Sequence, residues 1–309
     1  MARRMNRRKK AGRHLRIGRV IVALGLLACS LFFLGRYIVQ AIQIQQINRQ
    51  NQALLMQTSA PTASPTADAA AARAATKAPT IAPATPIAAR AATPSPSPTQ
   101  APRVLARYQK LVERNSDTVA WLKVNCIAEI NFAVVQRDNS FYMTRDFNGQ
   151  MNMNGAPFLD EYCSISPRDD NLLIYGHNMK NGQMFGKLRQ MNSWEKLFAN
   201  PFVTFDTIYE TGTYVPIAMF PCSIIPATDY FRFYIRNFSG EKQFDEFIQR
   251  ARELSEIHLN VDAQYGDRLL TLVTCYDDAH NQRYIVLLRA LREGETEDQV
   301  VQKYFRRWK

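Results

Sequence analysis

Groups that carry chemistry are scarce in this chain. Its 309 residues hold five cysteines and four histidines. No CxxC pair and no His–Cys cluster occurs, which excludes a structural zinc site of the tetrahedral kind. No cluster of acidic residues offers the oxygen cage that calcium needs, so neither a metal nor a cofactor is expected. The cysteine spacing demands no disulfide framework. Acid is absent from one region altogether: residues 1–19 contain nine Lys or Arg and no Asp or Glu. That tail accounts for most of the formal charge of +12, and beyond it 30 basic residues face 27 acidic ones. So even a balance gives no basic face for nucleic acid.

Charged residues are absent from 20–35, an apolar run bracketed by Arg19 and Arg36. With the arginines snorkelling, residues 20–39 reach the length of about 20 that a bilayer span needs. The basic flank puts the 1–19 tail in the cytoplasm and the bulk of the chain outside. Leu26-Leu27-Ala28-Cys29 has the form of a lipoprotein cleavage site, with Cys29 as the lipidated residue. The apolar run continues through Leu31-Phe32-Phe33-Leu34, however, and this favours an uncleaved single-pass anchor. Residues 40–102 form a second region. Ile42, Ile44, Ile47, Leu54 and Leu55 punctuate a Gln-rich stretch that reads as a helix near the membrane or as a solvated stem. From Thr58 to Pro102 the chain is mostly Ala, Thr, Pro and Ser, too poor in apolar surface to offset its ordering entropy. A disordered tether of that composition reaches up to roughly 100 Å.

Residues 103–309 are expected to be the folded extracytoplasmic domain. Val104, Leu105, Tyr108, Leu111 and Val112 have a helical period, predicting a helix over 104–122. Short apolar runs at 132–136, 172–175, 202–206 and 214–220, separated by Gly, Pro and Asn, predict a mainly β barrel or sandwich. Phe244, Phe247, Ile248, Ala251 and Leu254 lie on one helical face, and Ser239 is placed to cap that helix. An apolar run over 269–275 then ends on Cys275, and a further strand begins at Arg283.

A thiol at one strand end and a guanidinium at the start of the next suit covalent catalysis, because a fixed cation lowers a thiol pKa or holds an oxyanion. Cys126 and Cys222 read as small buried hydrophobes. A base must come from few candidates. His14 lies in the tail and His258 follows the helical pattern. His177 ends the 171–177 strand pattern, and His280 lies five residues after Cys275. A rigid strand tip holds catalytic geometry better than a loop, which favours His177. Arg283 also reads as an ion-pair partner of Asp277 or Asp278, and Tyr175 and Thr274 as barrel packing.

The string YGHNMKNGQMFGKL from Tyr175 to Leu188, the TLVTC from Thr271 to Cys275, and Arg283 together closely resemble the sortases, class B in particular. Trp121-Leu122, Val134-Val135-Gln136-Arg137-Asp138-Asn139 and Gly155-Ala156-Pro157-Phe158-Leu159-Asp160 extend the resemblance over residues 104–291. It implies a closed eight-stranded barrel with an N-terminal helix and a helix inserted before the Cys strand. It implies Cys275 as nucleophile, His177 as acid and base, and Arg283 as oxyanion ligand, with Tyr175, Val273 and Thr274 lining the substrate site. The implied activity is that of a membrane transpeptidase of Gram-positive bacteria that cleaves a C-terminal sorting signal after Thr through a Cys thioester. Its partners would be secreted proteins bearing that signal and an amine from peptidoglycan, its lipid precursor or a pilin. A hydrolytic cysteine protease and a weakly active scaffold are the alternatives; papain-like proteases place Cys before His, opposite to the order here. Two positions depart from the family pattern: Val273 stands where class B relatives often have Ser, and Ala133 where Pro commonly precedes Val-Val-Gln.

Overall fold

The computed structural model describes residues 2–58, 102–277 and 281–305, the tail up to residue 18 and Asp277 by backbone alone. The tether read into 59–101, the candidate base His280 and the candidate ion-pair partner Asp278 lie outside the described residues, as does the side chain of Asp277.

Eight strands close a mixed barrel in the order β1-β2-β3-β4-β7-β8-β6-β5. They are β1 (Thr118–Val124), β2 (Asn131–Val135), β3 (Phe158–Leu159), β4 (Asn171–Tyr175), β5 (Val203–Thr207), β6 (Thr213–Ser223), β7 (Leu269–Asp277) and β8 (Gln282–Ala290). Uninterrupted apolar runs suit strands covered on both faces. Accordingly Leu172, Leu173 and Ile174 of β4, Leu269, Leu270 and Leu272 of β7, and Ile285 to Leu288 of β8 are all fully buried. β4 and β7 run parallel, which requires a long crossover. That crossover contains α4 (Glu241–Leu254), which buries Phe244, Phe247, Ile248 and Ala251. Its phenylalanines extend an aromatic cluster through Phe238, Phe231 and Phe220, edge-to-face except for the tilted Phe231–Phe247 pair.

Two local readings differ from the structure. The helix expected over 104–122 is a 3-10 turn at Ala106–Tyr108 followed by α2 (Gln109–Arg114). Asn115 ends it: its side-chain oxygen accepts the Asp117 amide at 2.9 Å, an Asx turn that starts a new direction. Trp121 and Leu122 then pair with both β2 and β5, so sheet pairing overrides the helical period. At α4 the N-cap is Gly240 rather than Ser239, whose hydroxyl donates to Gln243 Oε1 at 3.0 Å.

α1 (Ala2–Thr58) is one unbroken helix with two environments. Its apolar side chains from Val20 to Val39 are exposed, and this is the one helix among the described residues long and apolar enough to cross a membrane. Further along, Ile44, Ile47 and Asn51 are buried against the barrel at helical spacing. Burial of each isoleucine stabilises the contact by about 2 kcal/mol. Gln52 Nε2 donates to the Asn131 carbonyl at 2.9 Å, and Arg114 of α2 donates to Asn51 and Gln50 at 2.9 and 2.8 Å. Leu54 and Leu55 pack on the same hydrophobic cluster as Val104 and Leu105. Short α3 (Trp194–Ala199) and C-terminal α5 (Glu297–Tyr304), the latter opened by a Thr296–Gln299 capping box, complete the fold.

Candidate active site

One rim of the barrel gathers the tips of β4 and β7 and the start of β8. Cys275 and Arg283 are directly opposed in the antiparallel β7–β8 ladder. Opposed residues project to the same face, with Cβ atoms about 5 Å apart. β4 lies along the other edge of β7, with Tyr175 in register with Val273. Two residues beyond that pair come His177, just past the end of β4, and Cys275, still within β7. The tips are tied past the end of the ladder: Thr274 Oγ1 donates to the Gly176 carbonyl at 2.7 Å, and Asn178 Nδ2 donates to the Cys275 carbonyl at 2.8 Å.

These elements surround a cavity of about 220 Å³. All six site residues read from the sequence line it: His177, Cys275, Arg283, Tyr175, Val273 and Thr274. Gly176, Asn139, Met143 and Phe158 complete the wall. Val273 is only 1% exposed, so it serves as wall and offers little surface to a ligand.

The imidazole of His177 is held from behind. Its Nε2 lies 2.7 Å from the Met143 carbonyl oxygen. A carbonyl can only accept, so Nε2 carries a proton here and Nδ1 is the nitrogen left to exchange one. Gly155 makes this approach possible. A Cβ there would lie 2.6 Å from the Tyr142 carbonyl oxygen and 3.1 Å from His177 Cδ2, and its φ of +64° favours glycine. Met143 was invisible to sequence reasoning because it acts through its backbone. Gly155 belongs to the family string, but only the fold shows what its missing side chain permits.

Tyr175 stays neutral. Burial pushes its phenol well above the usual range, the Asp160 carboxylate adds to the rise, and Arg283 opposes it. Its hydroxyl donates to Asp160 Oδ2 at 3.2 Å and its ring lies tilted on Phe158, centroids 5.4 Å apart. Thiols elsewhere in the domain are quenched by burial, which pushes Cys163 and Cys222 up to about 12 and also raises Cys126. None of the five cysteines is in a disulfide. Half-buried Cys275 therefore has the setting of a nucleophile, at a rigid tip beside a fixed cation and an imidazole. Among the described residues no group of three or more His, Cys, Asp or Glu is arranged to hold a metal ion.

A family model of the sortase domain matches residues 122–290. The chain is similar to Sortase B of Listeria monocytogenes, 32% identical over 167 residues that make up 53% of this chain and 65% of the relative. It thus spans just under two thirds of that relative's length. Sortase B of Staphylococcus aureus is 25% identical over 194 residues, 61% of this chain and 76% of the relative. Among solved structures, sortase B from Bacillus anthracis in complex with AAEK1 matches at 25% identity with a TM-score of 0.54, over 63% of this chain and 89% of that one. The Staphylococcus aureus sortase B–substrate complex, at 21% identity and a TM-score of 0.56, covers 61% of this chain and 86% of that one and shares the fold.

Proposed function

Because this chain belongs to the sortase family, and within it to class B, we propose that it is a membrane-anchored cysteine transpeptidase acting on C-terminal sorting signals. The observation that carries the reading is the opposition of Cys275 and Arg283 at a rim where His177 lines the same cavity. The Cys275 thiolate attacks the carbonyl of a threonine in the signal. Negative charge develops on the carbonyl oxygen, and the Arg283 guanidinium stabilises it. His177, as imidazolium, donates a proton to the departing amine, leaving an acyl thioester on Cys275. An incoming amine from peptidoglycan, its lipid precursor or a pilin attacks the thioester. His177 accepts that amine's proton, and Cys275 is released with a new amide formed. Tyr175, Val273 and Thr274 shape the substrate side of the cavity.

Residues 20–39 anchor the enzyme, with 1–19 in the cytoplasm and the barrel outside; the basic flank and the exposed apolar stretch of α1 support this topology. The test is incubation of the full chain with a library of sorting-signal peptides, with and without amine nucleophiles, followed by intact mass. A thioester adduct that disappears in Cys275→Ala, and an amide product that requires added amine, are the expected results. Cleavage that no amine diverts would establish a hydrolytic protease instead. No adduct and no turnover across the library would leave the scaffold reading.

A further inference from the structure

Residues 20–39 of α1 rise about 30 Å along the helix axis, the thickness of a bilayer's hydrocarbon core. The first carbonyl beyond them, that of Gln40, accepts Asn152 Nδ2 at 3.2 Å, and the next, that of Ala41, accepts Gln183 Nε2 at 2.8 Å. Two loops of the barrel are therefore fastened to α1 where its apolar stretch ends, and the helix is unbroken between. Asn152 itself is fully buried, while its neighbours Met151 and Met153 are 60% and 61% exposed. Met151 bridges to Arg145, whose guanidinium lies 4.5 Å from the Phe141 ring centroid; Arg137 covers the same ring at 4.1 Å. Open apolar side chains beside cations, at the height of the headgroups, suit an anionic lipid surface. Of the acids in this stretch Asp146 is buried and accepts the Asn148 and Gln150 amides, while Asp138 is exposed and accepts the Ser140 and Phe141 amides, so Arg137 and Arg145 still leave a positive excess.

Both loops lead directly to the site. The first supplies the Met143 carbonyl that holds His177. In the second, Met184 bridges to Asn178, whose amide binds the Cys275 carbonyl. We infer that the loop carrying Met151 and Met153 rests on the anionic surface of the bilayer that holds α1, so the active-site cavity opens within about 15 Å of the headgroups. This rests on the reading of residues 20–39 as a membrane span.

The experiment places single tryptophans at Met151, Met153, Tyr265 and Leu27 in the full chain. Each variant is reconstituted in phosphatidylglycerol-containing vesicles, with and without acyl chains brominated near the headgroup. Tyr265 precedes β7 and lies at the opposite end of the barrel from Cys275. Tryptophan at 151 and 153 is expected to lose roughly half its added emission to bromine, and tryptophan at 265 none. Adding Ile44→Asp, which undocks α1, should relieve the quenching at 151 while that at 27 persists. Quenching at 27 without quenching at 151 and 153 overturns the inference and leaves the anchor standing. Absence of quenching at 27 overturns the anchor itself. Quenching at 151 that survives Ile44→Asp would show that the docked helix does not set the height.

Discussion

The β7–β8 ladder has an arginine near each end. At one end Arg289 pairs with Leu269, and at the other Arg283 pairs with Cys275. Arg289 is fully buried and donates to both oxygens of Glu295 at 2.6 and 2.9 Å, to Asp262 at 2.9 Å and to the Asp262 and Ala290 carbonyls at 2.7 and 3.0 Å. Arg292 joins the cluster through Asp262 at 3.2 Å and also donates to both oxygens of Asp267 at 2.7 and 2.8 Å. A large, polar cavity of about 1040 Å³ opens at this end, lined by charged side chains that include Arg107, Asp206 and Asp267. The cavity beside Arg283 is smaller, and among the described residues that line it none carries a carboxylate. Carboxylates within reach make one guanidinium a structural rivet. At the other rim Arg283 instead lines a cavity that it shares with Cys275 and His177. Volume alone would have pointed to the end of the barrel opposite the candidate site.

Substitution can break this comparison. Arg283→Ala should lower kcat/KM by about 10²–10³, the usual effect of losing one oxyanion donor. Its melting temperature should stay near that of the parent, and a peptide-transfer assay beside thermal melting reads both. Equal loss of stability would mean that the two arginines do the same job. Arg289→Met should do the reverse, costing about 3 kcal/mol of stability with activity per folded molecule retained. Chemical denaturation with active-site titration checks it.

A smaller effect sharpens the picture at the rim. Gly155→Ala forces the Tyr142 and Met143 carbonyls away from the new Cβ and disturbs the support of His177. About a tenfold fall in kcat is expected, roughly 1.4 kcal/mol, with an altered pH–rate profile that a purely structural defect would not produce. The smallest effect is acid sensitivity at the far end. The hydrogen bonds from Arg289 hold the Glu295 carboxyl below its ordinary value. Its folded pKa is therefore depressed, so its contribution is complete above the unfolded value of about 4.3 and is lost as pH falls through the folded one. Melting scans below about pH 4 should show a decline in the parent that is blunted in Arg289→Met.

Much of this organisation was legible in the sequence because buried strands write themselves as apolar runs. β4, β7 and β8 fall on such runs, and the candidate site residues His177, Cys275 and Arg283 stand at their ends. The boundary at Asn115 was not legible, since Val104 to Val112 carry a helical period that says nothing of the sheet pairing awaiting Trp121. Nor was the seat of α1, where Ile44, Ile47 and Asn51 form a stripe too thin to stand out from the glutamines around it. The support of His177 was hidden most deeply, being a carbonyl at Met143 and a missing side chain at Gly155.

Leu54 and Leu55 at the end of α1 share one hydrophobic cluster with Val104 and Leu105. The two ends of the connection between α1 and the barrel thus meet at one patch. Loop-closure entropy grows only with the logarithm of length, so halving or doubling this segment changes stability by about 0.6 kcal/mol. So weak a dependence leaves its length almost free to drift by insertion and deletion, while the docked helix keeps the barrel where it is.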